Sequence, residues 1–115
     1  MVRLAIAAER YFASDAAAAL VKLRALAEQL ARHVCAHHGL LTNPQNTLDE
    51  ILRTLRARSI LPQRVVEILY HAKRVGNAAA HEDVGTVGEA LNTLKLMREA
   101  AVWFHRTYTD NATFK

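Results

Sequence analysis

The sequence is short of the residues that interrupt helices or cross-link chains: its 115 residues include one cysteine, two prolines and four glycines. A single cysteine cannot form an internal disulfide, so we expect Cys35 to be a small buried side chain in a reducing, cytoplasmic setting. No apolar run approaches the ~20 residues that a membrane span needs, and residues 1–9 lack the apolar stretch and cleavage site of a secretory signal. These absences predict a soluble protein without membrane contact.

What the sequence does contain is enough apolar surface for one core. Hydrophobic residues make up 51% of the chain and charged residues 23%, which is typical of an ordered helical globule. The length predicts a single domain over residues 1–115. The net charge of +4 permits contact with nucleic acid without demanding it.

Hydrophobic periodicity predicts an all-α helical bundle of four principal helices, because no segment alternates with period two for long. A short leading helical pattern covers residues 3–12. Ser14 or Asp15 can cap the first long helix, which ends near Gly39. The second helix is predicted to begin at Thr47, in a capping box of the type Thr-x-x-Glu.

Pro62 is predicted to occupy the first position of the third long helix, where its missing N–H costs nothing. One apolar stripe then follows that helix: Val65, Ile68, Leu69, Ala72, Gly76 and Ala79. A second capping box at Thr86 opens the final helix, in which Trp103 and Phe104 are expected to be core anchors. We expect residues 109–115 to fray.

The third helix carries the strongest candidate site, formed by Arg74, Asn77 and His81. These residues stand at i, i+3 and i+7 on one face, opposite the apolar stripe. An arginine can hold a phosphate, a histidine can move a proton near neutral pH, and an amide can orient either group. The set suits metal-independent RNA cleavage, and it equally suits an ordinary solvated helix face.

Helix geometry limits what one copy of the chain can do with this set. Arg74 and His81 are separated by roughly 10 Å of helix rise, and helical side chains lean toward the N-terminus. One chain would therefore struggle to bring both to one phosphate. A two-fold dimer that packs the third helices face to face would remove the difficulty.

A basic surface is predicted around the second and third helices, where it could touch a phosphate backbone. Its candidate nucleic-acid-binding residues are Arg74, Lys73, Tyr70 and Arg64, with Arg53, Arg56 and Arg58 nearby. A solvated charge pattern is the alternative interpretation. His33 and His37 have a spacing that can hold a metal, but no third ligand converges on them, so we predict neither a metal nor a cofactor.

The segment Arg74-Val75-Gly76-Asn77-Ala78-Ala79-Ala80-His81 resembles the signature of a bacterial helical domain of unassigned function. That domain is often found at the N-terminus of type I restriction enzyme R subunits and related helicases. The resemblance extends over nearly the whole chain, through Leu23-Arg24, Leu26, Glu28, Thr47-Leu48, Leu61-Pro62 and the run from Trp103 to Tyr108. The domain is in turn similar to the HEPN superfamily, helical bundles in which an arginine and a histidine a few residues apart form a ribonuclease site at a dimer interface.

The resemblance implies a non-catalytic accessory domain of a restriction R-subunit-like helicase. It would contribute assembly or nucleic-acid contacts in defence against foreign DNA, as the N-terminal part of a longer protein that carries the helicase or nuclease portion. A polar residue usually follows the arginine in active HEPN members, whereas Val75 follows Arg74 here. The alternatives are a metal-independent HEPN endoribonuclease acting as a dimer, with His81 as acid or base, and a dimerisation module.

Overall fold

The computed structural model describes residues 15–40 and 42–110, which form four α-helices and contain no strand. The helices are α1 (Ala16–His37), α2 (Leu48–Ala57), α3 (Gln63–Glu82) and α4 (Val87–His105), and a π-helical turn (Arg106–Asp110) continues α4. The predicted all-α bundle is thereby confirmed. The short leading helix predicted over residues 3–12 lies outside the described residues. None of the helices within them is both long enough and apolar enough to cross a bilayer.

Three of the helices begin where a side-chain cap was predicted. Asp15 accepts a hydrogen bond from the backbone N–H of Ala18 at 3.1 Å. The hydroxyl of Thr47 accepts from the N–H of Glu50, whose carboxylate accepts from the N–H of Thr47 in return. Thr86 opens α4 with the same reciprocal pair. Each cap satisfies amides that a helix start would otherwise leave unpaired.

The start of α3 differs from the prediction by one residue. Pro62 is the N-cap and not the first helical residue, because its ψ of 149° is extended although its φ of −59° would suit a helix. Its carbonyl oxygen accepts the first bond of α3, from the N–H of Val66 at 3.0 Å. The predicted apolar stripe of α3 is buried along its whole length.

Of the tail expected to fray, 109–115, the structure describes Thr109 and Asp110, which belong to the π-helical turn. The π-helical turn is held by Tyr108, whose ring stacks on His37 with a centroid separation of 4.4 Å. The Tyr108 hydroxyl lies 2.9 Å from Nε2 of His38. These partners lie 70 residues or more away in sequence, so the local pattern could not reveal them.

The four helices enclose one principal core, and α3 runs antiparallel to both α1 and α4. For α4, the start of α3 meets its far end, Arg64 to Glu99, and His71 meets Thr93 farther back. For α1, Gly76 lies against Arg24, and Gly85, just after α3, lies against Ala17 near the start of α1. Gly76 allows a close approach of α1 and α3, because a Cβ atom there would overlap Cβ of Arg24 and lie 3.0 Å from the carbonyl oxygen of Leu20. The fold therefore presses the middle of the candidate segment against α1.

Helices α1 and α2 both end in a Schellman turn, but only one of them has glycine at the left-handed position. Gly39 fills it after α1 with φ +69°, and Ser59 fills it after α2 with φ +54°. The left-handed backbone conformation is strained for an L residue such as serine and unstrained for glycine, although glycine has more conformational entropy to lose on folding. We therefore expect Ser59→Gly to raise the free energy of unfolding by about 0.5 to 1 kcal/mol. Urea denaturation measures the change. Ser59→Ala is the control and should bring no gain; an equal gain in both variants would contradict the argument.

Candidate functional site

The structure places Arg74, Asn77 and His81 on α3 but does not bring their side chains together. Arg74 and His81 are exposed, and Asn77 is half-buried. His81 lies in the last turn of the helix, one residue before its end, and its side chain forms no hydrogen bond or ion pair with the described residues. Arg74 stands about two turns nearer the start of α3.

Asn77 is engaged with α1. Its Oδ1 accepts a hydrogen bond of 2.7 Å from Nη1 of Arg24, whose side chain passes over Gly76. Both residues line a small groove between α1, α2 and α3, which also contains Asp49 and Lys73. The amide predicted to orient Arg74 or His81 therefore holds a different arginine, on another side of α3.

Arg74 is held by a histidine that the sequence reasoning did not single out. Nη2 of Arg74 lies 3.0 Å from Nδ1 of His71, and Nε2 of His71 lies 3.2 Å from Oγ1 of Thr93 on α4. Thr93 is fully buried. Burial and the neighbouring Arg74 charge both lower the pKa of His71, which favours its neutral form.

Arg74 and His71 open onto a groove between α3, α4 and the last turn of α2, with a volume of about 470 Å³. The groove is lined by Arg56, Gln63, Arg64, Val66, Glu67, Ile68, Tyr70, His71, Arg74, Asn92 and Leu96. Three of the four predicted nucleic-acid-binding residues are among them. The fourth, Lys73, lies in the groove beside α2, with Nζ 5.6 Å from the centroid of the Tyr70 ring.

Two of these cations are paired with carboxylates. Arg64 donates from Nε and Nη2 to the two oxygens of Glu99, at 2.7 and 3.1 Å, which lowers the pKa of that carboxyl group. Nζ of Lys73 donates to Asp49 at 3.1 Å and lowers the pKa of Asp49. Neither Arg56 nor Arg74 is within ion-pair distance of a carboxylate among the residues described. Among the cations that line the groove, Arg56 and Arg74 are therefore the two whose charge is still available to a ligand.

The histidines of α1 contact aromatic rings. His33 and His37 meet the ring of Phe104 edge-on, at centroid separations of 6.2 and 5.7 Å. Trp103 and Phe104 are half-buried against the principal core, as expected of anchors. Cys35 is buried, as predicted, and burial raises the pKa of its thiol.

Comparison with known proteins gives two matches that cover nearly the whole chain. A family model described as "Domain of unknown function (DUF4145)" matches residues 6–113. The chain is 30% identical over 113 residues to the type I restriction enzyme EcoKI endonuclease subunit of Escherichia coli (strain K12). That match covers 96% of this chain and 9% of the subunit, so the chain spans less than a tenth of its relative's length. No solved structure matches the chain.

Proposed function

The chain belongs to the DUF4145 family, whose function is unknown, and from this premise we propose that it is a non-catalytic accessory domain of a restriction-type helicase. It would contribute assembly or nucleic-acid contacts in defence against foreign DNA. The observation that carries the proposal is the match to a restriction endonuclease subunit, which includes nearly all of this chain and 9% of the relative. A module that small within a subunit leaves room for the motor and nuclease elsewhere, and the rest of such a longer chain is the partner we propose.

The geometry of α3 supports a role without catalysis. Arg74 is bonded to His71, Asn77 is bonded to Arg24, and His81 stands alone about two turns away. General acid–base catalysis requires its groups within hydrogen-bond reach of the same reacting atoms. A single chain does not meet that requirement with these three residues.

The alternative is a metal-independent endoribonuclease of the HEPN type, acting as a dimer through α3. The observation that favours it is the exposure of both Arg74 and His81, with the His81 side chain bonded to none of the described residues. A second copy facing α3 would place its own Arg74 or His81 in the same cleft. A dimerisation module without nucleic-acid contact is the third candidate.

Incubation with single-stranded RNA in the presence of EDTA separates these functions. We expect the RNA to stay intact, and fluorescence anisotropy to show DNA or RNA binding that weakens with salt as phosphate contacts do. We expect His81→Ala to leave both results unchanged, as should His105→Ala, which alters an exposed histidine on α4.

Two results would decide for the alternatives. Chelator-resistant cleavage that is lost in His81→Ala and kept in His105→Ala would establish the ribonuclease. A dimer in analytical ultracentrifugation, with neither cleavage nor binding, would establish the dimerisation module. A monomer at high concentration would argue against any site shared between two copies.

A further inference from the structure

We propose that the groove between α2, α3 and α4 binds phosphate groups of a nucleic-acid strand, with Arg56 and Arg74 as its cations and His71 as the residue that positions Arg74. This inference rests on the proposed nucleic-acid contact and assigns it a place on the molecule. It also identifies two residues, His71 and Arg56, that lie outside the candidate segment.

The dimensions of the groove suit a piece of a strand. Its volume of about 470 Å³ falls in the range of sites that hold small molecules, well above the size of a lone phosphate. Tyr70 and Leu96 supply apolar surface beside the arginines, and Asn92 supplies an amide. Binding of a sugar–phosphate unit requires the same combination of positive charge and apolar surface.

The charge of the groove favours an anion. Three arginines line it against one carboxylate, that of Glu67. Arg64 already donates to both oxygens of Glu99 through one edge of its guanidinium, and the carboxylate charge offsets its own, so it contributes little further attraction. Glu67 is exposed and can turn into solvent. Arg56 and Arg74 remain, and a guanidinium matches the oxygens of a phosphate through parallel hydrogen bonds.

The partners of His71 determine which ring nitrogen carries its proton. A guanidinium can only donate, so Nδ1, which faces Arg74, must be the unprotonated acceptor. The ring proton of neutral His71 is therefore on Nε2, which donates to the hydroxyl oxygen of Thr93. Because Thr93 is fully buried in α4, the ring orientation is anchored in the core.

Because His71 is fixed by Thr93, its hydrogen bond also restrains the side chain of Arg74. Long exposed arginine side chains ordinarily lose rotamer entropy when they bind a ligand. His71 restrains Arg74 before binding and uses only one of its N–H groups, so the remaining donors stay available to a phosphate. His71 acts through Arg74 and is a positioning residue.

The cations are tested by binding of a fluorescein-labelled single-stranded DNA oligonucleotide, followed by anisotropy over a range of salt concentrations. We expect Arg74→Ala to weaken binding about tenfold, and Arg56→Ala severalfold, each lowering the slope of log K against log salt by about one. Lys95→Ala is the matched control, since Lys95 is an exposed cation of α4 outside the groove. It should change binding less than about twofold.

The positioning role is tested by a pair of substitutions at the same site. His71→Gln retains an oxygen to accept from Arg74 and an amide to donate to Thr93, so we expect near wild-type affinity. His71→Leu fills the space without the acceptor and should weaken binding severalfold, less than Arg74→Ala does, because the Arg74 charge remains and only its restraint is lost. Nitrogen NMR of the wild-type ring should show the Nε2–H tautomer. A ring protonated on Nδ1, or equal affinity of the Gln and Leu variants, would overturn the role of His71.

The remaining outcomes distinguish the ligand sources and separate this inference from the proposed function. If inorganic phosphate competes with the oligonucleotide, and this competition is abolished in Arg74→Ala, the groove is a phosphate site. If the wild-type chain binds inorganic phosphate but no oligonucleotide, the ligand of the groove is the free anion and not a nucleic-acid strand. Oligonucleotide binding that is equal in Arg74→Ala, Arg56→Ala and Lys95→Ala overturns the groove and leaves the accessory function intact. Binding of neither probe overturns the groove and leaves an assembly role. RNA cleavage by the wild-type chain overturns the accessory function while the groove result stands on its own.

Discussion

Replacing Gly76 by alanine is expected to lower the free energy of unfolding by about 2 kcal/mol, although the same change in an open helix would raise it by about 1 kcal/mol. The reason is the close approach of α1. The new methyl group would overlap Cβ of Arg24 and crowd the carbonyl oxygen of Leu20, and neither atom can move without its helix. Urea denaturation with a fitted midpoint and slope measures the change.

Gly88→Ala is the matched control for that experiment. Gly88 also lies inside a helix, the first turn of α4, but a Cβ atom there would meet only Oγ1 of Thr86, at an ordinary 3.8 Å. Alanine at position 88 should therefore raise the free energy of unfolding by about 0.5 kcal/mol through helix propensity. Opposite signs for the two variants are the expected result. If Gly76→Ala were as stable as Gly88→Ala, α1 and α3 would have to lie farther apart than described.

Leu69→Ala is expected to lower the free energy of unfolding by about 3 kcal/mol, a large fraction of the total for a domain of this size. Leu69 lies on α3, has no exposed surface and belongs to the principal core formed by all four helices. Removing its branched end leaves a cavity that the surrounding helices can close only in part. Thermal unfolding monitored by circular dichroism should show a clear drop in the midpoint.

Leu91→Ala makes the same chemical change where it should matter little. Leu91 lies on α4 with 40% of its surface exposed, so we expect a change of less than about 0.5 kcal/mol. Comparable losses for the two leucines would show that α3 is not seated in the core as described. The comparison also helps to interpret the binding experiments. A variant that loosens α3 would displace Arg74 and His71 together and would weaken binding without removing either residue.

The helix boundaries were predictable where a local hydrogen bond marks them. The caps at Asp15, Thr47 and Thr86 each involve residues within one turn, so the sequence contains all the information needed. Pro62 was misplaced by one residue because its φ suits both the cap and the first helical position, and only ψ separates the two. The contacts of Tyr108 could not be foreseen, because its partners His37 and His38 lie at the far end of α1, about 70 residues away in sequence.

The candidate site was predictable only in its relation to the core. A helical wheel indicates which side of α3 faces the apolar interior, and Arg74 and His81 are indeed exposed. It does not indicate which neighbouring helix packs against each side of α3. Asn77 lies on the flank covered by α1, and His71 lies on the flank covered by α4. The Thr93 contact that fixes His71 comes from 22 residues away, beyond any local pattern.

Arg24 lies across Gly76 and ends on Asn77, so the Gly-Asn pair in the middle of the candidate segment serves to join two helices. A genome search that uses this segment as a query pattern therefore selects for chains in which two helices cross closely. It does so whether those chains cut a nucleic acid, bind one or do neither. Assigning an activity to newly sequenced relatives then calls for inspection of positions outside the pattern, with those of Arg56 and His71 as the first to compare.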